Sequence, residues 1–196
     1  MELIFATHNL EKLKEIQNLI GSNIKILSLN DIGYSREINE TGQTFEENAF
    51  IKANTIYQIY NKPVFADDSG LEVKALNGRP GVFSARFAGE GYNSFDPHIK
   101  KLLDELKGIK QREARFRTVI CLIINDKVNF FEGIINGHIA EYQSGVNGFG
   151  YDPIFIPNGY SKTFAEMNIY EKNKISHRAK AVSKLIKFIM SDPHLF

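Results

Sequence analysis

The sequence predicts a mixed α/β protein, and three observations carry that reading. Short apolar runs at 3–6 and 63–66 each adjoin a helical pattern, as parallel strands covered by helices do. Two longer β-rich runs, 114–125 and 128–140, follow one another with only a short polar turn between them. The chain closes on an amphipathic pattern in which Ile175, Ala179, Val182, Ile186 and Ile189 recur at helical spacing. At 196 residues there is room for one large domain or two small lobes.

Composition removes several function classes. The net charge is +1 with no long basic block, which argues against a nucleic-acid partner. Cys121 is the single cysteine and sits in the apolar run R-T-V-I-C-L-I-I, so it reads as a core residue in a reducing compartment. The first apolar run is short and lacks a basic flank, unlike a signal peptide, and no window approaches the length of a membrane span. A cytoplasmic protein without membrane contact is expected.

In chain order, the strand at 3–6 is followed by Thr7-His8-Asn9 and a helix with Leu13, Ile16 and Ile20 on one face. Thr7 and Asn9 are both suitable N-caps, and Lys12 falls in the first turn, where a cation opposes the helix dipole unless an anion is near. Strand-to-helix turns of this kind suit phosphate. A second strand is expected at 24–29. Thr44 with Glu47 forms a capping box opening a helix to about Tyr60, with Asn48 and Lys52 beside its apolar stripe.

The strand after that helix runs into Asp67-Asp68-Ser69-Gly70. Neighbouring strand residues point to opposite faces, so the two carboxylates cannot serve one site equally. Ser69-Gly70 is expected to form a tight turn at the strand end, where a ligand meets exposed N–H groups. The segment 89–93 reads as a mobile loop, and Ile99, Leu102, Leu103 and Leu106 mark a helix stopped by Gly108. The β-rich pair joined at Asn125-Asp126-Lys127 is either part of a second lobe or an edge extension of a mixed sheet.

The second chemical cluster is G-V-N-G-F-G-Y-D-P at 145–153. Its glycines permit close backbone approach, while Phe149 and Tyr151 offer flat faces for stacking a base. It matches neither the Walker A nor the G-x-G-x-x-G pattern. After it come a short strand at 154–156 and a loop at 157–167. Ser176, His177 and Arg178 are expected at the start of the last helix, with His177 off the buried stripe.

Taken together, A-T-H-N-L-E-K (6–12), T-F-E-E-N-A-F-I-K-A (44–53), A-D-D-S-G-L (66–71), G-R-P-G-V-F-S-A-R-F-A-G (78–89), G-F-G-Y-D-P-I-F (148–155) and K-N-K-I-S-H-R (172–178) resemble the Ham1-like inosine/xanthosine triphosphate pyrophosphatase family. The matches keep the family's order and span nearly the whole chain. The resemblance implies an α/β fold with a mixed central sheet, flanking helices and two lobes around a cleft, built as one pyrophosphatase domain over 1–196 and paired as a homodimer. It implies hydrolysis of deaminated purine nucleoside triphosphates (ITP, dITP, XTP) to monophosphate and pyrophosphate with Mg²⁺. By the same resemblance, Thr7, His8, Asn9, Leu10, Glu11, Lys12 and Lys52 hold the triphosphate. Asp68 is the catalytic base beside the metal, and Ser69 contacts substrate. Phe149, Gly150, Tyr151, Asp152, Lys172, His177 and Arg178 contact the nucleotide. Where the family often carries two adjacent acidic residues before T-G, this chain has Asn39-Glu40-Thr41-Gly42, which leaves Glu40 as the second metal carboxylate.

The chemistry fits those roles, since attack of water on the α-phosphorus needs a base and the leaving pyrophosphate needs its charge neutralised. A cation at Asp68 weakens it as a base, so orienting the attacking water suits it better than taking the proton outright. Other readings stay open: a pyrophosphatase for pyrimidine or modified nucleotides, a nucleotide-binding module without turnover, and a single-stranded RNA binder, the last disfavoured by charge.

Overall fold

A computed structural model of the chain describes residues 2–21, 24–89, 91–92 and 94–192. Among these, strands β1 (Glu2–Phe5), β2 (Lys25–Ser28), β3 (Val64–Val73), β4 (Glu113–Ile124), β5 (Lys127–Ile139) and β6 (Phe155–Pro157) form one sheet in the order β2-β1-β3-β4-β5-β6. Pairing of β1 with β2 and with β3 is parallel, and that of β5 with β6 is antiparallel. Helices are α1 (Leu10–Ile20), α2 (Phe45–Tyr60), α3 (Asp96–Glu105), α4 (Ile169–Ile175) and α5 (His177–Ser191). The mixed α/β class is therefore observed.

The chain divides into two compact units. The first holds Met1–Asp68, Thr118–Gly133 and His177–Phe196, and the second holds Ser69–Arg117 and Ile134–Ser176. Both alternatives for the β-rich pair are thus partly met: β4 and β5 belong to the one sheet, and each contributes to both units. Asn125 and Asp126 turn between them with φ of 49° and 58°, the left-handed pair that the mirror-image hairpin turn requires.

In the first unit, strand alternation sorts the core onto two sides. Leu3 and Phe5 of β1, Phe65 of β3 and Ile120, Leu122 and Ile124 of β4 pack with Ile16 and Ile20 of α1 and Val182, Leu185 and Ile189 of α5. Ile4, Ala6, Val64, Ala66, Cys121 and Ile123 pack with Ala49, Ala53 and Ile56 of α2. Burial of this sort stabilises by about 25 cal/mol per Å² of apolar surface removed from water. Cys121 lies in that core, where burial pushes its thiol up to about 12. Gly133 of β5 is needed where α5 begins, because a Cβ there would fall 2.0 Å from the His177 carbonyl oxygen.

The second unit has its own core, in which Leu71, Val73, Phe116, Ile139, Phe155 and Phe164 meet Ile99, Leu102 and Leu106. Three expectations need correction. β3 does not end in a turn at Ser69-Gly70 but continues to Val73, because β4 lies beside it in the sheet and pairing overrides the local turn signal of glycine. The last helix does not include Ile175. Ser176 is extended (ψ 155°) and separates α4 from α5, a break that periodicity spanning the joint conceals. Finally, the segment 157–167 is not all loop, since Thr163 and Glu166 form a capping box on a single 3₁₀ turn, Phe164–Glu166. Of the segment expected to be mobile, Glu90 and Asn93 lie outside the described residues.

Candidate active site

The alternation that sorts the first unit's core also decides where the paired carboxylates point. Asp67 continues the Phe65 side of β3, toward α1 and α5, while Asp68 continues the Val64 and Ala66 side, toward α2. β1 pairs with β3 at Ile4 and Phe5, so both carboxylates lie just past the carboxyl end of a parallel strand, where ligands bind in open α/β sheets. Both are nonetheless nearly fully buried.

On the first side, Lys12 Nζ donates to Asp67 Oδ1 at 3.0 Å. Arg178 donates to Asp67 Oδ2 from Nε at 3.3 Å and Nη2 at 3.1 Å, and its Nη1 donates to Glu15. Asn9 caps α1, its Oδ1 accepting from the N–H groups of Glu11 and Lys12, and the Asn9 N–H donates to Thr7 Oγ1. Lys12 thus leaves the first helical turn with a buried carboxylate as its anion. Burial holds its ammonium below the usual lysine range, against the pull of Asp67. For Arg178 burial acts the same way but is outweighed by Glu15 and Asp67, which raise it. His8 and Leu10 are exposed, with His8 Nε2 donating to the Arg36 carbonyl at 3.0 Å, and Glu11 pairs with Lys14 on the surface.

On the α2 side, Asn48 and Lys52 meet Asp68. Asn48 Oδ1 accepts from the Gly42 N–H at 2.8 Å, which turns its Nδ2 toward Asp68 Oδ2 at 3.2 Å. Lys52 Nζ lies 2.9 Å from Glu40 Oε1 and 3.5 Å from Asp68 Oδ1. Burial lowers the Lys52 ammonium, yet Asp68 and Glu40 together hold it above its ordinary value. Burial likewise lifts Asp68 above the usual carboxylate range, opposed by Lys52 and Lys12. Among the described residues no group of three or more His, Cys, Asp or Glu side chains could hold a metal ion. Asp68 and Glu40 do share one cation, the Lys52 ammonium. Two hard oxygen donors around one positive charge fit Mg²⁺, which takes one or two carboxylates and completes its shell with phosphate oxygens and water.

In the second unit, Lys172 Nζ donates to Asp152 Oδ2 at 2.6 Å, and the same oxygen accepts from the Phe149 N–H at 2.9 Å. The ammonium lies 5.1 Å from the Phe149 ring centroid and 5.6 Å from that of Phe164. Gly148, with φ of 72°, has no room for a side chain, because its Cβ would fall 2.0 Å from the Asp152 carboxylate. Tyr151 is 1% exposed and donates its hydroxyl to the Ser84 carbonyl at 3.0 Å, so its ring is a buried prop rather than an open stacking face. Phe149 and Gly150 are half-buried, as is Ser69 on β3.

The structure therefore gathers Lys12, Asp67 and Arg178 on one side of β3, Lys52, Asp68 and Glu40 on the other, and Phe149, Asp152 and Lys172 in a third group. His177 opens α5 and is buried, contrary to the expectation that it stands off the buried stripe, because Gly133 admits its backbone against β5. One buried residue was passed over. Glu15 was indistinguishable from its charged neighbours, since what draws it inward is Arg178, distant in sequence. Asn48, singled out for its four-residue spacing to Lys52 on a capped helix, meets Asp68 beside that lysine.

Comparison with known proteins finds relatives along nearly the whole chain. A family model described as the Ham1 family matches residues 3–188. The chain is 53% identical over 188 residues to a dITP/XTP pyrophosphatase of Flavobacterium psychrophilum, covering 96% of this chain and 98% of that one. It is 50% identical to the protein of that name from Bacillus subtilis, covering 96% of each. Among solved structures, the Staphylococcus aureus Ham1 protein superposes with a TM-score of 0.88 at 40% identity, covering 97% of this chain and 99% of that one. A HAM1 protein from Coxiella burnetii gives 0.89 at 39% identity, covering 98% and 100%.

Proposed function

The chain belongs to the Ham1 family, and from that premise we propose that it hydrolyses deaminated purine nucleoside triphosphates (ITP, dITP and XTP) to the monophosphate and pyrophosphate. The observation that carries this reading is the pair of lysines held ready on carboxylates, Lys12 on the buried Asp67 and Lys52 on the buried Asp68 and the partly exposed Glu40. Such ammonium groups are desolvated and oriented before substrate arrives, and a triphosphate offers them more negative charge than a single carboxylate does. Lys12 and Lys52 then meet the phosphate chain, with Thr7, His8, Asn9, Leu10 and Glu11 forming the strand-to-helix turn around it.

Asp68 is the group that orients the water attacking the α-phosphorus. Asn48 donates to one Asp68 oxygen and Lys52 faces the other, which fixes the orientation of the carboxylate toward that water. Asp68 and Glu40 would hold Mg²⁺, which when bound neutralises phosphate charge and makes water more acidic. Ser69 follows on the same strand as a substrate contact. Phe149, Gly150, Tyr151 and Asp152 form the base loop, Lys172 pairs with it from α4, and His177 and Arg178 are further nucleotide contacts. Lys172 and Arg178 carry only donors, which suit the carbonyl oxygen at the purine 6-position and oppose the amino group of adenine there. A cytoplasmic, homodimeric protein completes the proposal. The lone buried thiol supports the first, and among the described residues no helix is long and apolar enough to cross a membrane.

The test is a panel of ITP, XTP, GTP and ATP with separate detection of pyrophosphate and phosphate, with and without Mg²⁺. Pyrophosphate release from ITP and XTP, dependent on Mg²⁺ and well above that from ATP, is expected. Binding without release would leave a nucleotide-binding module, and equal rates with ITP and ATP would remove the purine-carbonyl account.

A further inference from the structure

A buried histidine outside the residues assigned to the reaction packs beside the ring that faces the base loop. His98, in the first turn of α3, is 3% exposed, and its Nδ1 accepts from the Ala88 N–H at 2.9 Å. Its ring lies 5.1 Å from that of Phe95 and meets Tyr92 edge-on at 5.6 Å. Phe95 in turn meets Tyr151 edge-on, with centroids 5.4 Å apart, and its ring edge lies 3.7 Å from where a Cβ on Gly150 would stand. Beyond it the Tyr151 hydroxyl donates to Ser84, whose Oγ accepts from the Leu71 N–H of β3 and donates to the Gly81 carbonyl. One unbroken set of contacts thus runs from Ala88 through His98 and Phe95 to Tyr151 and Gly150.

We propose that His98 is a positioning residue for the base loop, its neutral imidazole fixing Phe95 and, through it, Tyr151 and Gly150, so that Phe149 and Asp152 stand ready for the purine. This rests on the assignment of 148–152 to base recognition. The Ala88 contact dictates the tautomer, because an N–H donor needs a bare Nδ1 and the proton must then sit on Nε2. An imidazolium would set donor against donor.

The surroundings disfavour that cation. Burial lowers the proton affinity of His98, and Lys101, one turn along α3, lowers it further. Lys101 is itself tied to Phe87, its Nζ donating to the carbonyl at 2.7 Å and lying 4.6 Å from the ring centroid. Tyr92 is the titratable group in ring contact, and the 3₁₀ helix Gly81–Arg86 packed on α3 carries Arg86, whose guanidinium lies over Phe83. The folded state therefore holds His98 neutral at pH 7. With its folded pKa below the unfolded one, the brace is complete above the unfolded value of about 6.5 and fails as pH falls through the folded value.

The experiment compares wild type with His98→Ala, His98→Asn, Phe95→Leu and Phe149→Ala, reading KM and kcat for ITP from pH 5 to pH 8. His98→Ala and Phe95→Leu should each raise KM about tenfold, as the loss of one buried hydrogen bond or ring contact allows, with kcat within about twofold. His98→Asn restores an acceptor near the Nδ1 position without a titrating proton, so its KM should return to within about threefold of wild type. Wild-type KM should climb in acid while that of His98→Asn stays flat. Should His98→Ala not fold, the wild type and His98→Asn comparison decides by itself. A KM unchanged in His98→Ala while Phe149→Ala raises it overturns the positioning role and leaves the base loop standing. If Phe149→Ala also leaves KM unchanged, the base-loop assignment falls and the proposal falls with it. The same acid dependence in His98→Asn as in wild type overturns it as well.

Discussion

The two units concentrate charge in contrasting ways. The first gathers Lys12, Asp67, Arg178 and Glu15 as one array and Lys52, Asp68 and the partly exposed Glu40 as another, with β3 between them. The second buries the pair Lys172 and Asp152 among the rings of Phe149 and Phe164. Multiple opposed charges on rigid strands and helices suit a polyanion whose charge shifts during reaction. One ion pair under aromatic cover suits a flat, neutral heterocycle whose edge is read by few hydrogen bonds. Under the proposed roles, phosphate chemistry and base choice fall to separate residues, so substitutions should separate them.

The largest expected effect is on the Asp68 side. Asp68→Asn keeps the shape and the Asn48 contact but cannot hold a proton or a cation as well, and kcat should fall by about 10² to 10⁴. Asp67→Asn should cost less in kcat, because that carboxylate holds Lys12 and Arg178 and faces away from Asp68. Steady-state rates on ITP at saturating Mg²⁺ check this. An Asp68→Asn variant with more than about half of wild-type kcat would erase the distinction between the two faces of β3.

Next in size is Arg178, which sharpens the comparison because it lies in the charge-rich unit yet is assigned to base choice. Arg178→Ala should bring kcat/KM for ITP and ATP together, removing about tenfold to a few hundredfold of preference. The same substitution leaves Glu15 and Asp67 buried beside a lost partner, so it should also lower stability by about 3 to 5 kcal/mol in denaturant unfolding. A loss of stability with the ITP preference intact would make Arg178 a brace for Asp67 alone.

Much of the fold was legible because its signals are local. The Asn9 cap, the Thr44–Glu47 capping box and the Asn125-Asp126 turn each act within four residues, and each is found as expected. The clustering of acidic and basic residues was also legible, from the Asp67-Asp68 pair and the spacing of Asn48 and Lys52. What was hidden depends on partners far along the chain. Gly70 signals a turn, but β4 keeps the strand extended. Ile175 shares the period of α5, but Ser176 breaks the helix. Glu15 resembles a surface residue until Arg178, 163 positions away, draws it inside. Strand parity alone separated Asp67 from Asp68, yet which face each took depended on where α1, α2 and α5 pack.

The separation of tasks is tested most directly by kcat/KM for ITP and for ATP in wild type, Lys12→Ala, Lys52→Ala and Lys172→Met. Lys12→Ala and Lys52→Ala should lower both values by a common factor, keeping the ratio of ITP to ATP within about twofold of wild type, because phosphate is shared by both substrates. Lys172→Met should instead move that ratio toward one. A ratio altered by the Lys12 or Lys52 substitution, or unaltered by the one at Lys172, would contradict the division of labour between the phosphate-binding lysines and the base loop.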